Sequence, residues 1–203
     1  IGKNTGGMGA YSPSRLINSD LEEKIINKII NPTINALSEM NVKYKGFLYA
    51  GLMIVNNEPF LIEYNVRMGD PECQTILPTL NTDFLNVILS CLDEKLDEIN
   101  IVWKDKKSVC IVLCSKGYPE TYKKNIEILN FDKLHLDKNN YLFHAGTKKN
   151  GSKIFAIGGR VLNFISTSYN FSTARKNVIN NLKKMNWNDG FYRKDIAFKV
   201  INK

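Results

Sequence analysis

No apolar run in this sequence approaches the ~18 residues that a membrane-spanning helix needs, and no signal-peptide pattern opens the chain as it stands. A soluble protein is expected. Cysteine is sparse: Cys73, Cys91, Cys110 and Cys114 form no Cys-x-x-Cys pair, which argues against a disulfide framework or a zinc site and favours a reducing, cytoplasmic setting. Cys110 and Cys114 lie four apart in the apolar run SVCIVLCS, so on a strand they share one face as buried thiols. No Ser-His-Asp or Cys-His arrangement offers a nucleophile, no Gly-Lys-Ser/Thr follows a glycine-rich loop, and GxGxxG spacing is absent. Arginine is scarce too, supplying five of the 28 basic residues. The net charge of +8 rests on dispersed lysines, as in WKDKK, TYKKN and NLKKMN, each near acids, Asn or aromatics. That pattern describes a solvated surface rather than a phosphate-binding face, so no nucleic-acid partner and no membrane partner are expected.

What is present is a core. With 43% hydrophobic and 10% aromatic residues, 203 residues suffice for one large domain or two small ones. After an opening loop, GKNTGGMGAYSP, Ser19 or Asp20 caps a helix whose Ile25, Ile26, Ile29, Ile34, Leu37 and Met40 recur at spacings of three to five, with a kink at Pro32. GFLYAGLMIV and FLIEYNVR read as an antiparallel hairpin joined by the turn NNEP. A second helix runs from Thr82 or Asp83 through FLNVILSCLDEKL. The stretch from about Asp97 to Lys107 is charged and without a period, and a domain boundary is placed there, dividing the chain into 1–100 and 101–203. Beyond it SVCIVLCS, YLFHAGT and KIFAIGGRVLNFISTS are β-rich, and FSTARKNVINNLKKM is an amphipathic helix. The class is α+β.

Two local patterns carry chemistry. In LIEYNVRMGDPE, side chains two apart on a strand point the same way ~7 Å apart, so Glu63, Asn65 and Arg67 project from one face. A carboxylate, a carboxamide oxygen and a guanidinium make poor core but suit a polyphosphate with Mg²⁺, which takes a few protein oxygens beside phosphate oxygens and water. A solvent-facing edge with an incidental ion pair is the other reading. In NTGGMGAYSP, Gly6, Gly7 and Gly9 let backbone approach a ligand and turn N–H groups toward an anion; alone, such a loop is more often just a turn.

Asn4 to Pro13, then GFLYAGLM, EYNVRMGDPE, HAGT, GGRVL and FYRKDI, in that order along nearly the whole chain, resemble glycinamide ribonucleotide synthetase, the phosphoribosylamine–glycine ligase family. The resemblance implies an ATP-grasp ligase of purine biosynthesis, represented here by its C-terminal half: the second part of the ATP-grasp domain, an antiparallel sheet with helices, followed by a small β-rich C-terminal domain. A missing N-terminal half would be needed to complete the site. The implied reaction makes glycyl phosphate from glycine and ATP and then an amide with 5-phosphoribosylamine. The implied metal ligands, for Mg²⁺ or Mn²⁺, are Glu63 and Asn65, with Arg67 catalytic beside the reacting phosphate and carboxylate. Asn4, Thr5, Gly6, Gly7, Met8, Gly9, Arg67, Asp70 and Arg160 would face the substrates, and Met53 would lie under adenine, unless it is an ordinary core methionine.

Two departures from the family pattern stand out. Met68 replaces the usual Phe or Leu, a swap of flexible apolar groups. Gly51 stands where many ATP-grasp relatives carry a further acidic ligand, which leaves the number of metal ions open. His144 reads as a core or interface histidine, Arg160 as either a phosphate contact or a structural ion pair, and Tyr192–Asp195 as a closing turn. An ATP-grasp carboxylate–amine ligase or carboxylase with another substrate shares the same metal strand. A basic nucleic-acid-binding module is the third reading, opposed by the lack of aromatic–basic interleaving.

Overall fold

In a computed structural model, which describes residues 3, 5–134 and 136–201, the elements run β1 (Gly9–Ser12), α1 (Ser19–Ile25), α2 (Asn31–Glu39), β2 (Tyr49–Val55), β3 (Glu58–Asn65), α3 (Glu72–Ile76), α4 (Phe84–Leu92), β4 (Lys107–Ser115), β5 (Ile126–Glu127), β6 (Asn140–His144), β7 (Thr147–Asn150), β8 (Lys153–Ala156), β9 (Arg160–Ser168), α5 (Phe171–Met185), β10 (Gly190–Phe191) and α6 (Phe198–Ile201). Helices combine with strands that pair antiparallel throughout, the expected α+β class. The chain forms two compact units that interleave in sequence: Ile1–Pro13, Asp70–Thr79 and Lys104–Lys203 in one, Ser14–Gly69 and Leu80–Trp103 in the other.

The first unit is built on β4. Its neighbours are β9 on one side and β1 with β10 on the other, and β6 extends the sheet beyond β9. A strand covered on both faces must be apolar at every position rather than at alternate ones, and that is the run SVCIVLCS. Val109, Ile111 and Leu113 belong to one core cluster, with Phe171, Ala174, Val178, Leu182 and Met185 of α5. Cys110, Val112 and Cys114 belong to a second, with Met8 and Ile165. The buried face of α5 recurs every three or four residues, as an amphipathic helix requires. Asn170 caps α5 by accepting from the Thr173 N–H at 2.8 Å, and Asn186, at φ +39°, turns the chain out of it.

Burial pushes the Cys110 and Cys114 thiols up to about 12. Both are therefore expected to resist a thiol reagent at pH 8 in the native protein and to react on unfolding; labelling at the native rate of a free thiol would contradict their burial. The folded state keeps these protons while the unfolded chain releases them, so this contribution is full below the ordinary thiol range and declines as pH rises toward 12.

Several elements differ from expectation for identifiable reasons. The second half of the opening loop is a strand: β1 pairs with Ser108–Ile111 of β4, a long-range partner invisible to local pattern. The KIFAIGGRVLNFISTS run divides at residues 157–159, with β8 in a small β5–β8–β7 sheet and β9 in the main one. Gly146 and Gly158 allow this crossing, since a Cβ on Gly146 would lie 2.6 Å from Gly158 Cα.

In the second unit Asn18, rather than Ser19 or Asp20, caps α1, accepting from the Leu21 N–H at 2.8 Å. Just before Pro32, where a kink was expected, the backbone widens to a π-helical stretch over Ile26–Ile30, and α2 restarts with the proline in its first turn, where a missing N–H is harmless. The hairpin turn is only Asn56–Asn57, at φ +51° and +61°, so Glu58 and Pro59 already belong to β3. Two such residues match the twist of a two-residue hairpin. Tyr64 anchors the hairpin to the helix, its hydroxyl 2.6 Å from Thr33 Oγ1 and donating to the Ile29 carbonyl at 3.1 Å. Asp83 caps α4 by accepting from the Asn86 N–H at 3.0 Å. That helix stops at Leu92 rather than Leu96, because Glu94 takes φ +61°. The charged stretch that follows returns to bridge Trp103 to Leu80.

Candidate functional site

The second unit carries the charged row. Asn65 Nδ2 donates to Glu63 Oε1 at 3.1 Å, and Arg67 Nη2 donates to Asn65 Oδ1 at 3.2 Å, so the three side chains expected on one face are joined in line. Strand alternation accounts only for the first two. β3 ends at Asn65, and Arg67 lies beyond it, where its Nη1 donates to the Met68 carbonyl at 3.0 Å.

The register adds what alternation could not. Gly51 pairs with Glu63 but Leu52 with Leu61, leaving Ile62 as a bulge. Directly opposed residues share a face, so the row continues from Tyr49/Asn65 through Gly51/Glu63 to Met53/Phe60. Without the extra residue Phe60 would point away from Glu63; with it, Met53 and Phe60, 53% and 55% exposed, extend an apolar platform from the acidic end. Met53 is therefore no core methionine. Gly51 holds open the space opposite Glu63: a Cβ there would meet Glu63 Cγ at 3.1 Å. Among the described residues no group of three or more His, Cys, Asp or Glu side chains is gathered around a metal position. A carboxylate and a carboxamide oxygen are nonetheless the kind and number of protein donors that suit Mg²⁺, which keeps several waters and shares phosphate oxygens.

The first unit carries the glycine-rich loop. Asn4 lies outside the described residues. Arg160 Nη1 donates to the Gly7 carbonyl at 3.1 Å and the Asp70 carbonyl at 2.6 Å, and Nη2 pairs with Asp70 Oδ2 at 2.9 Å. Arg160 thus holds Gly7 and Asp70 together. Asp70 Oδ1 also accepts from Gln74 Nε2 at 2.8 Å. The Gly6 N–H donates to Tyr118 Oη at 3.0 Å, so one amide expected to face an anion has a partner within the protein.

The three glycines answer to local packing. A Cβ on Gly6 would meet the Arg160 guanidinium and Tyr118 Oη at 3.2 Å, on Gly7 Pro71 Cδ at 2.4 Å, and on Gly9 Ile196 Cγ2 at 2.7 Å. Gly7→Ala is expected to destabilise the protein by ~1–3 kcal/mol through overpacking, seen as a lower denaturant midpoint; an unchanged midpoint would mean the loop is free to move away. Met8 is buried in the second core cluster. His144 is engaged locally, its Nδ1 3.0 Å from Thr147 Oγ1 and its ring stacked on Phe131. Phe60 and Tyr118 are the neighbours that sequence reasoning missed. The bulge that turns Phe60 leaves no local signal, and Tyr118 meets Gly6 only through tertiary structure.

Residues 1–73 match the family model described as phosphoribosylglycinamide synthetase, ATP-grasp (A) domain, and residues 108–199 that described as phosphoribosylglycinamide synthetase, C domain. A phosphoribosylamine–glycine ligase of Brucella melitensis biotype 1 is 39% identical over 202 residues, which is 100% of this chain and 47% of the relative. The crystal structure of phosphoribosylamine–glycine ligase from Thermotoga maritima aligns with a TM-score of 0.83 and 32% identity over 97% of this chain and 48% of its own. The biotin carboxylase domain of a thermophilic 2-oxoglutarate carboxylase aligns with a TM-score of 0.62 over 96% of this chain and 42% of its own, and at 14% identity the likeness is one of fold. The chain spans about half the length of the curated relatives it matches. No helix among the described residues is long and apolar enough to cross a membrane.

Proposed function

Because this chain belongs to the phosphoribosylglycinamide synthetase family, we propose that it is part of a cytoplasmic ATP-dependent ligase that joins glycine to 5-phosphoribosylamine in de novo purine biosynthesis. Residues 1–100 contribute to its ATP-grasp domain and 101–203 form the C-terminal domain, and further sequence of the same protein completes the nucleotide cleft. The observation that carries this reading is the hydrogen-bonded row Glu63–Asn65–Arg67 continued by Met53 and Phe60 on one face of the hairpin.

The roles follow from the row. Met53 and Phe60 lie under adenine. Two or three residues along the strand, ~7–10 Å, separate them from Glu63, a span that suits the reach from base to terminal phosphates. Glu63 Oε and Asn65 Oδ1 would hold Mg²⁺ or Mn²⁺, and Asn65 would release Arg67 Nη2 to do so. The cation supplies neutralisation between two anions, the triphosphate and glycine's carboxylate, that otherwise repel. Arg67, once released, presents its planar fork to both and stabilises the charge that develops as the carboxylate attacks the γ-phosphate. Glycyl phosphate results, and the amine of phosphoribosylamine displaces phosphate from it. Asp70 and the loop from Asn4 to Gly9 face the substrates, with Arg160 fixing the loop's position. No side-chain nucleophile is needed.

The test is ADP formation by the full-length ligase that contains these residues. It should require both glycine and freshly made phosphoribosylamine; turnover with another carboxylate in place of glycine would overturn the substrate assignment. The 203-residue chain alone is expected to form no ADP, since half a cleft does not exclude water. Glycine-dependent ADP from the purified chain would show the nucleotide site to be misplaced.

A further inference from the structure

Among the described residues β2 and β3 form a two-stranded sheet, and such a ribbon holds its shape in water only when it packs against something else. It is tied to the α1–α2 segment at two places. Toward the Asn65 end, Tyr64 reaches Thr33 and the Ile29 carbonyl; ~20 Å away along the strand, the turn at Asn57–Glu58 meets a second group of contacts. We propose that Glu58, held by Lys24 and Lys28, is a positioning residue that sets the Met53–Phe60 platform for the adenine of ATP. The assignment rests on the ligase reading above and adds residues that the reading does not use.

The contacts at the turn form one network. Lys24 Nζ lies 3.0 Å from Glu58 Oε1 and 3.3 Å from Asp20 Oδ2 and donates to the Asn57 carbonyl at 3.2 Å, so its three N–H groups have three acceptors. Lys28 Nζ takes the other carboxylate oxygen of Glu58 at 2.6 Å, and Asn57 Nδ2 donates to Asp20 Oδ2 at 2.8 Å. An isolated exposed ion pair contributes little, whereas a carboxylate gripped at both oxygens inside a connected set of charges is held in one place. Lys28 and Lys24 keep the Glu58 carboxyl below the usual carboxylate range, and Glu58 and Asp20 keep the Lys24 ammonium above its usual value. Both groups stay charged at neutral pH.

The register makes this anchor matter to the platform. Phe60 lies two residues from Glu58, and Met53 is its cross-strand partner. The bulge at Ile62 interrupts the ladder between that pair and Glu63, and a bulge is where a strand bends. The ladder alone therefore does not fix the turn relative to Glu63 and Asn65. Each end takes its position from its own anchor, Tyr64 for the metal ligands and Glu58 for the platform. Releasing Glu58 lowers the fraction of hairpins with the platform in place, and the apparent affinity for the nucleotide falls with that fraction.

Steady-state kinetics of the full-length ligase test this. Glu58→Lys sets a third ammonium against the two that gripped a carboxylate, and it should raise KM for ATP about tenfold while kcat, KM for glycine and the Mg²⁺ concentration at half-maximal rate stay within about twofold. Calorimetry with ADP should show the same rise in Kd. Lys28→Ala, a milder change at an exposed position, should raise KM for ATP about threefold. Combining Lys28→Glu with Glu58→Lys exchanges the charges and should recover most of the loss. A role in stability alone would lower the melting temperature and leave KM for ATP where it was.

Met53→Ala locates any failure. If it raises KM for ATP while folded Glu58→Lys and Lys28→Ala keep the wild-type value, or lose kcat and every KM alike, the role of Glu58 is overturned and the ligase reading stands. If Met53→Ala leaves KM for ATP unchanged, adenine lies elsewhere and the role of Glu58 falls with that placement. A wild type that makes no product from the three substrates overturns the ligase reading itself.

Discussion

Glu63→Gln is expected to lower turnover of the full-length ligase by about a thousandfold or more, ~4 kcal/mol of transition-state stabilisation, with the protein still folded. The change preserves shape and removes charge. Glu63 is exposed, and the hydrogen bond it accepts from Asn65 Nδ2 can be accepted equally by a glutamine oxygen, so stability should move by less than ~1 kcal/mol. What glutamine cannot supply is the negative charge that holds a divalent cation against water. Raising Mg²⁺ should therefore restore part of the activity, which a purely structural role for Glu63 would not allow. A variant with near-normal turnover at ordinary Mg²⁺ would remove Glu63 from the metal site.

That the site can be argued at all from one strand reflects which physical signals are local. Glu63 and Asn65 were legible because a period of two is written directly into sequence, and polar residues interrupting an apolar strand have few structural uses. The helices at α4 and α5 were legible for the same reason at period 3.6, and their ends blurred where a cap or a positive φ outweighed the pattern, as at Asn18 and Glu94. β1 was hidden because four residues carry too little period to be read as a strand, and its ladder lies on β4. The bulge at Ile62 was hidden because a register shift is a property of two strands together. Yet it is the bulge that places Phe60 with Glu63. The Arg160 clamp on Gly7 and Asp70 was likewise open from sequence alone, since both readings of that arginine predict the same residue. Local periodicity thus located the charged row, and tertiary pairing determined what stands beside it.

Arg67 separates the ligase reading from the bland one. Among the described residues its guanidinium donates to the Asn65 carboxamide at 3.2 Å and the Met68 carbonyl at 3.0 Å, both short-range partners, and the residue is exposed. If those bonds were its whole purpose, Arg67→Lys would alter stability by less than ~1 kcal/mol and leave catalysis alone. If the fork bridges the γ-phosphate and glycine's carboxylate, lysine keeps the charge and loses the two-pronged geometry, so contacts made in the transition state suffer more than those in the ground state. We expect kcat to fall at least about tenfold in Arg67→Lys, ~1.4 kcal/mol, and about a hundredfold in Arg67→Ala, with KM for ATP changed far less and the melting temperature nearly constant. The ordering of the two variants carries the inference. A charge alone would make lysine nearly as good as arginine, whereas a required fork makes lysine intermediate. An unchanged kcat in both variants would remove Arg67 from the mechanism and leave Glu63 and Asn65 as the proposed metal ligands without it.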